Sequence, residues 1–169
     1  MGEQVSTGVD GVMDVTDRRP GGGMERLLVV MARLRAPDGC PWDREQTLET
    51  LKPCLLEETH ELLEAMADDT PGPHLEELGD VLLQVVFQSC IREERGEFGL
   101  DEVAHTLCDK LVRRHPHIFG EVTVSGTDEV LRNWEAIKRE EKVERESVLD
   151  GVPRSLPALL RAQRVQAKA

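Results

Sequence analysis

Tyrosine is missing from this 169-residue chain, and other aromatic residues are scarce, with two Trp and three Phe. Such a chain has few rings on which the bases of a single-stranded nucleic acid can stack. Positive charge is also in short supply: 21 Lys and Arg stand against 33 Asp and Glu, a net charge of −12. That balance argues against a nucleic-acid partner held through its phosphates and against an anionic membrane surface. No apolar run approaches the roughly 20 residues needed to cross a bilayer. The four cysteines, Cys40, Cys54, Cys90 and Cys108, form no C-x-x-C pair, and no signal segment opens the chain. Free, packed thiols in a reducing, cytoplasmic compartment are the expectation. Strand signals are nearly absent as well, with no alternating runs and no hairpin dipeptide between apolar segments.

What is present has the period of helices. Leu27, Leu28, Val30, Met31 and Leu34 recur at helical spacing between Met24 and Arg35, before a break at Ala36–Pro41. A helix is expected to resume near Thr47, to be interrupted at Pro53, and to continue from Leu55 to Ala67 until Thr70-Pro71-Gly72-Pro73 ends it. Leu75–Arg95 is the most apolar segment; Val85-Val86 suits a strand, but length and Glu/Gln content favour a helix stopped by Gly96. Leu100–Arg114 reads as another helix, His115-Pro116-His117 as the start of a loop, and Thr127 as the N-cap of a charged helix running to Glu146. Met1–Gly23 reads as a flexible leader, and the prolines at 153 and 157 frame a short tail. At this length one domain buries roughly 70% of its unfolded surface, and an all-α bundle is the consistent architecture.

Two of these helices carry the chemistry. Glu57-Glu58-Thr59-His60-Glu61 and Glu77-Leu78-Gly79-Asp80 place Glu58 with Glu61, and Glu77 with Asp80, on shared helical faces. A short connection near 70–73 makes the two helices antiparallel, so the acidic pairs can face each other. Like charges gathered beside an apolar face need a cation, and several hard oxygen donors suit Mg²⁺ or Mn²⁺. The bland alternative is a solvated acidic surface, since charged helix positions normally face water. Against it stand the pairing of motifs across a turn and Gly79, whose cost in a helix is about 1 kcal/mol. Glu57-x-x-His60 and Glu102-x-x-His105 also spell the signature of a di-iron carboxylate bundle, which would leave the second acidic pair without a role.

Further blocks join these motifs in order: Gly39-Cys40-Pro41-Trp42-Asp43-Arg44-Glu45-Gln46-Thr47, the run from Glu77 to Phe87, Lys110-Leu111-Val112-Arg113-Arg114-His115-Pro116-His117-Ile118-Phe119, and Asn133-Trp134-Glu135-Ala136-Ile137-Lys138. With them, the sequence from about Met24 onward closely resembles the MazG-type nucleoside triphosphate pyrophosphohydrolases. The resemblance implies an all-α fold working as a homodimer or homotetramer. It also implies Mg²⁺-dependent hydrolysis of a nucleoside triphosphate to monophosphate and pyrophosphate. On matching positions, Glu58, Glu61, Glu77 and Asp80 are the implied metal ligands. Lys110, Arg113, Arg114, Trp134 and Lys138 are the implied nucleotide contacts. Residues 24–146 would then be the catalytic domain, between the leader (1–23) and the tail (147–169). Many relatives repeat this domain, so the chain is expected to be a single-domain member or a first copy, and first copies can be weak.

Lys110, Arg113 and Arg114 share a helical face and suit phosphate oxygens, though a basic helix end near the C-terminal dipole has the same composition. Trp134 suits a base-stacking role or simple half-burial. Trp42 is either an anchor for its loop or a wall of a base pocket. His115 and His117 suit either phosphate donation or helix capping, with caps the expectation, and His60 reads as a neighbour of the ligands. Glu57, about 100° around the helix from Glu58, is the candidate to orient the attacking water. A non-catalytic helical binding module is the alternative from a different class.

Overall fold

The computed structural model describes residue 16 and residues 18–141 and 151–167. Most of the expected leader, and residues 142–150 of the expected last helix and tail, lie outside the described residues. Among those described there are helices and no strand: α1 (Gly23–Arg35), α2 (Pro41–Glu45), α3 (Leu51–Asp68), α4 (Pro71–Glu93), α5 (Leu100–Arg114), α6 (Pro116–Phe119), α7 (Thr127–Glu140) and α8 (Ala158–Gln166). The chain divides into two compact units, Met1–His105 and Thr106–Ala169, the division falling inside α5. The segment expected as a tail carries α8.

In the first unit α3 lies along α4, and α1 packs against α2 and α4. Met31, Leu51, Val86, Phe87 and Ile91 are buried together, with Leu27, Leu28, Leu34, Leu48, Leu83 and Leu100 packed around them. Each such side chain contributes roughly 1.5–3 kcal/mol by leaving water. Val85 and Val86 both lie inside α4, which resolves the Val85-Val86 ambiguity; Val86 is buried there and Val85 exposed. Arg35 ties the end of α1 to the end of α4: it donates to both carboxylate oxygens of Glu94, at 2.5 and 2.6 Å, and covers the Phe87 ring at 5.2 Å.

Three local differences from the sequence reading have simple causes. Pro53 does not interrupt α3, because it is the third helical residue, where a backbone N–H has no intrahelical acceptor to lose. The turn before it is built by threonines: the Thr47 backbone N–H donates to Thr50 Oγ1 at 2.8 Å, and the Thr50 N–H to Thr47 Oγ1 at 3.2 Å. Pro71-Gly72-Pro73 begins α4 instead of forming a loop. Asp69 turns left-handed (φ 50°), Thr70 is extended as a residue before proline must be, and Pro71 supplies a preset first turn. Finally, Thr127 is the first residue of α7 and not its cap; the Ser125 N–H and hydroxyl donate to Glu129 at 2.8 and 2.7 Å instead. The short helices α2 and α6 fall in stretches read as loop, each with proline at its first position.

Gly39 is held by close packing against the end of α1. A Cβ there would sit 2.2 Å from the Leu34 carbonyl oxygen and 2.6 Å from that of Arg33. Gly39→Ala is therefore expected to destabilise the first unit by about 1–3 kcal/mol, measured as a lowered urea midpoint with an unchanged slope.

Candidate functional site

The residues expected to bind metal all lie in the first unit, and those of the cationic set in the second; each set is described by itself. The two-residue link Asp69-Thr70 folds α4 back along α3. One carboxylate oxygen each from Glu58, Glu77 and Asp80 lies within 4.8 Å of the others. Glu61, one turn from Glu58, is exposed and outside this trio, but its charge acts on both Glu58 and Glu77. None of the four acids forms an ion pair among the described residues.

The cost of this convergence is visible in the titration of two members. Burial first, then the charges of Asp80 and Glu61 and a hydrogen bond shared with Glu61, push the Glu58 carboxyl above its usual value. Burial again, followed by Glu61, Asp80 and Glu76, pushes Glu77 up. Glu77 Oε2 is shut off from solvent and has no hydrogen-bond partner, an arrangement that costs free energy unless something else satisfies it. Oxygen donors around a Mg²⁺ ion lie at about 2.1 Å, hence up to about 4.2 Å apart. Small side-chain adjustments bring the trio to that spacing, so the donor set fits a hard divalent ion.

The surroundings are less specific than the motif suggested. A Cβ at Gly79 would meet nothing within 4 Å, so no atom of the described chain demands glycine beside Asp80. Glu57 and His60 are exposed. Glu102 accepts the Gly99 backbone N–H at 3.0 Å at the start of α5, the work of a helix cap. Backbone hydrogen bonds hold its carboxyl below the usual range. Trp42 is 58% exposed on α2, which does not suit a packed anchor.

In the second unit the two arginines of the cationic set meet at a residue absent from the expected contacts. Glu141, at the end of α7, accepts from Arg113 Nε at 2.7 Å and from Arg114 Nη2 at 2.5 Å, with Arg114 Nε 3.1 Å from the same Oε2. Arg114 is only 11% exposed, against 54% for Arg113. Its guanidinium lies 5.3 Å from the centre of the Trp134 ring, whose edge meets His115 at 4.9 Å. His115 in turn contacts the Leu111 carbonyl through Nδ1 at 2.6 Å, capping α5 as expected. Lys138 pairs with Glu135 at 2.9 Å. The available signal was spacing: Glu141 stands three residues beyond Lys138 and seven beyond Trp134, on one helical stripe. Gln84, four residues after Asp80, was also passed over; it is 5% exposed with an unpartnered Oε1.

The MazG nucleotide pyrophosphohydrolase domain family matches at residues 46–119. The nucleoside triphosphate pyrophosphohydrolase of Escherichia coli K12 is 49% identical over 150 residues, covering 85% of this chain and 56% of that protein. The nucleoside triphosphate pyrophosphohydrolase/pyrophosphatase MazG of Thermotoga maritima is 47% identical over 146 residues, 86% of this chain and 56% of that protein. The corresponding Mycobacterium tuberculosis protein is 39% identical over 160 residues, 94% and 48% respectively. The chain thus spans about half the length of these curated relatives. A solved mazG-related protein from Thermotoga maritima superposes with a TM-score of 0.58 at 26% identity, over 68% of this chain and 98% of that one.

Hydrogen bonds from Arg114 first and Arg113 second lower the Glu141 carboxyl from 4.5 to about 2. A depressed acid stabilises the fold above its unfolded value and loses that contribution as pH falls through its folded value. The second unit should therefore lose stability between about pH 4.5 and 2, seen as a falling melting temperature. In Glu141→Gln that acid-range slope should be shallower.

Proposed function

Over residues 46–119 the chain belongs to the MazG nucleotide pyrophosphohydrolase domain family, and from that premise we propose that it hydrolyses nucleoside triphosphates to nucleoside monophosphate and pyrophosphate. The observation that carries the reading is the convergence of Glu58, Glu77 and Asp80, one of which, Glu77, also holds an unpartnered, solvent-shielded carboxylate oxygen. These three acids, with Glu61 beside them, hold Mg²⁺ in this proposal, and Mn²⁺ has the same donor preference. When bound, the ion supplies charge neutralisation and Lewis-acid polarisation of phosphate oxygens, inverting the local field of an acidic chain.

The chain's own residues do the remaining work. Water attacks the α-phosphorus, the bond from that phosphorus to the bridging oxygen breaks, and pyrophosphate leaves. Glu57, exposed and about a quarter turn around the helix from Glu58, is the proposed group to orient the water and take its proton. In the second unit Lys110 and Arg113 are the proposed phosphate contacts, donating to non-bridging oxygens whose charge grows as pyrophosphate departs. Trp134, Lys138, Arg114 and Trp42 complete the proposed nucleotide-contacting set. Two copies associate in this reading. The support is a run of large apolar side chains at the surface of the hairpin, Leu56, Leu63 and Met66 on α3 with Leu75, Leu78 and Leu82 on α4, between 36% and 75% exposed. An apolar patch of that kind marks an interaction surface.

The decisive experiment incubates the chain with a panel of nucleoside triphosphates and Mg²⁺, with and without EDTA, and identifies products. Monophosphate plus pyrophosphate is expected, abolished by EDTA and by Glu61→Gln with the helical circular dichroism retained. Monophosphate with inorganic phosphate alone would indicate a different hydrolase, and saturable binding without turnover would favour a regulatory module. An independent readout is thermal. Saturating Mg²⁺ should stabilise the native chain by roughly 1–3 kcal/mol. Glu77→Gln, which removes one of the repelling charges, should melt no lower than the native chain without metal and lose the Mg²⁺-dependent increment.

A further inference from the structure

The two adjacent arginines at the end of α5 do not have equivalent surroundings. Arg114 is enclosed: its Nε and Nη2 are committed to Glu141, and its planar face covers Trp134. Arg113 is more than half exposed and gives only Nε to the same carboxylate, at 2.7 Å. Its two terminal nitrogens have no protein acceptor among the described residues. The chain of contacts therefore runs from Trp134 through Arg114 to Glu141 and ends on Arg113.

We propose that Glu141 is a positioning residue for the reaction: anchored on the partly buried Arg114, it grips Arg113 by Nε and presents that residue's free terminal N–H groups as a fork for the phosphate chain of the nucleotide. This rests on the pyrophosphohydrolase reading given above. Three physical points support it. An unrestrained arginine loses much rotamer freedom when it binds, and a prior hold on Nε removes part of that loss. The remaining edge of a guanidinium suits two phosphate oxygens. One carboxylate between two guanidinium groups also leaves a net positive charge, so the cluster still attracts a polyanion. The depressed titration of Glu141 keeps the carboxylate ionised across the neutral range.

The test uses the full chain and inorganic tripolyphosphate, whose binding needs no turnover, beside steady-state hydrolysis of a nucleoside triphosphate. Glu141→Gln keeps an acceptor for Arg114 and loses the charge; Glu141→Ala loses both. Tripolyphosphate affinity should fall in the order native, Gln, Ala, by about tenfold for Ala, the size expected for one charge-assisted hydrogen bond. KM should rise in parallel, with kcat falling as well because Arg113 also meets the charge that grows as pyrophosphate departs, and Glu141→Ala should cost less in an Arg113→Ala background than in the native chain, as coupling through Arg113 requires. Tighter tripolyphosphate binding by Glu141→Gln would overturn the proposal, because the acid would then be a competitor for the arginines. So would unchanged affinity, or a loss of kcat at constant KM that follows the folded fraction. If the native chain turns over no nucleotide but the tripolyphosphate order holds, the hydrolysis reading fails and the positioning role stands.

Discussion

Mutual repulsion among carboxylates is the constraint around which the first unit is organised. Glu58, Glu77 and Asp80 are brought within 4.8 Å of one another by a helical hairpin whose core owes nothing to them. Val86, Phe87, Ile91, Leu51 and Met31 supply the favourable free energy several residues away, and the acids are carried along. A fold that raises the titration of two of its own acids and shuts one oxygen away from water stores unfavourable electrostatics at one place. Such stored cost is characteristic of sites whose function requires an unoccupied donor set.

The second unit handles charge in the opposite way. There Glu141 is matched by two arginines and held strongly ionised, so the electrostatics of that cluster are satisfied internally save for the outer edge of Arg113. The contrast separates two kinds of acidic residue that composition alone treats alike. One kind is unbalanced, with no counter-charge among the described residues. The other is balanced and serves to hold cations in place.

Much of this was legible in the sequence because the determining signals are local and periodic. The 3.6-residue rhythm located α1, α4 and α5 to within a few residues, and the i, i+3 acidic pairs located the carboxylate cluster. The errors cluster at prolines. Pro41, Pro71 and Pro116 read as breakers but open helices, since proline is compatible with a first turn and only incompatible with later ones. Pro53, third in α3, is accommodated for the same reason. Spacing puts Glu141 on the stripe of Trp134 and Lys138 but is silent about the arginines it holds, which lie 27 and 28 residues away. Gly79 taught the reverse lesson: an unusual residue beside a motif has open space around it.

The two-residue connection between α3 and α4 also bears on which changes in chain length the hairpin can accept. Each residue added to a helix turns everything beyond it by about 100° and advances it by about 1.5 Å. Between Pro71 and Glu77 there is no loop in which such a rotation can dissipate. A single insertion or deletion there would swing Glu77 and Asp80 together off the surface that faces Glu58, while a substitution compatible with the helix leaves their bearing intact. This short stretch is therefore free to drift in side-chain identity but locked in length.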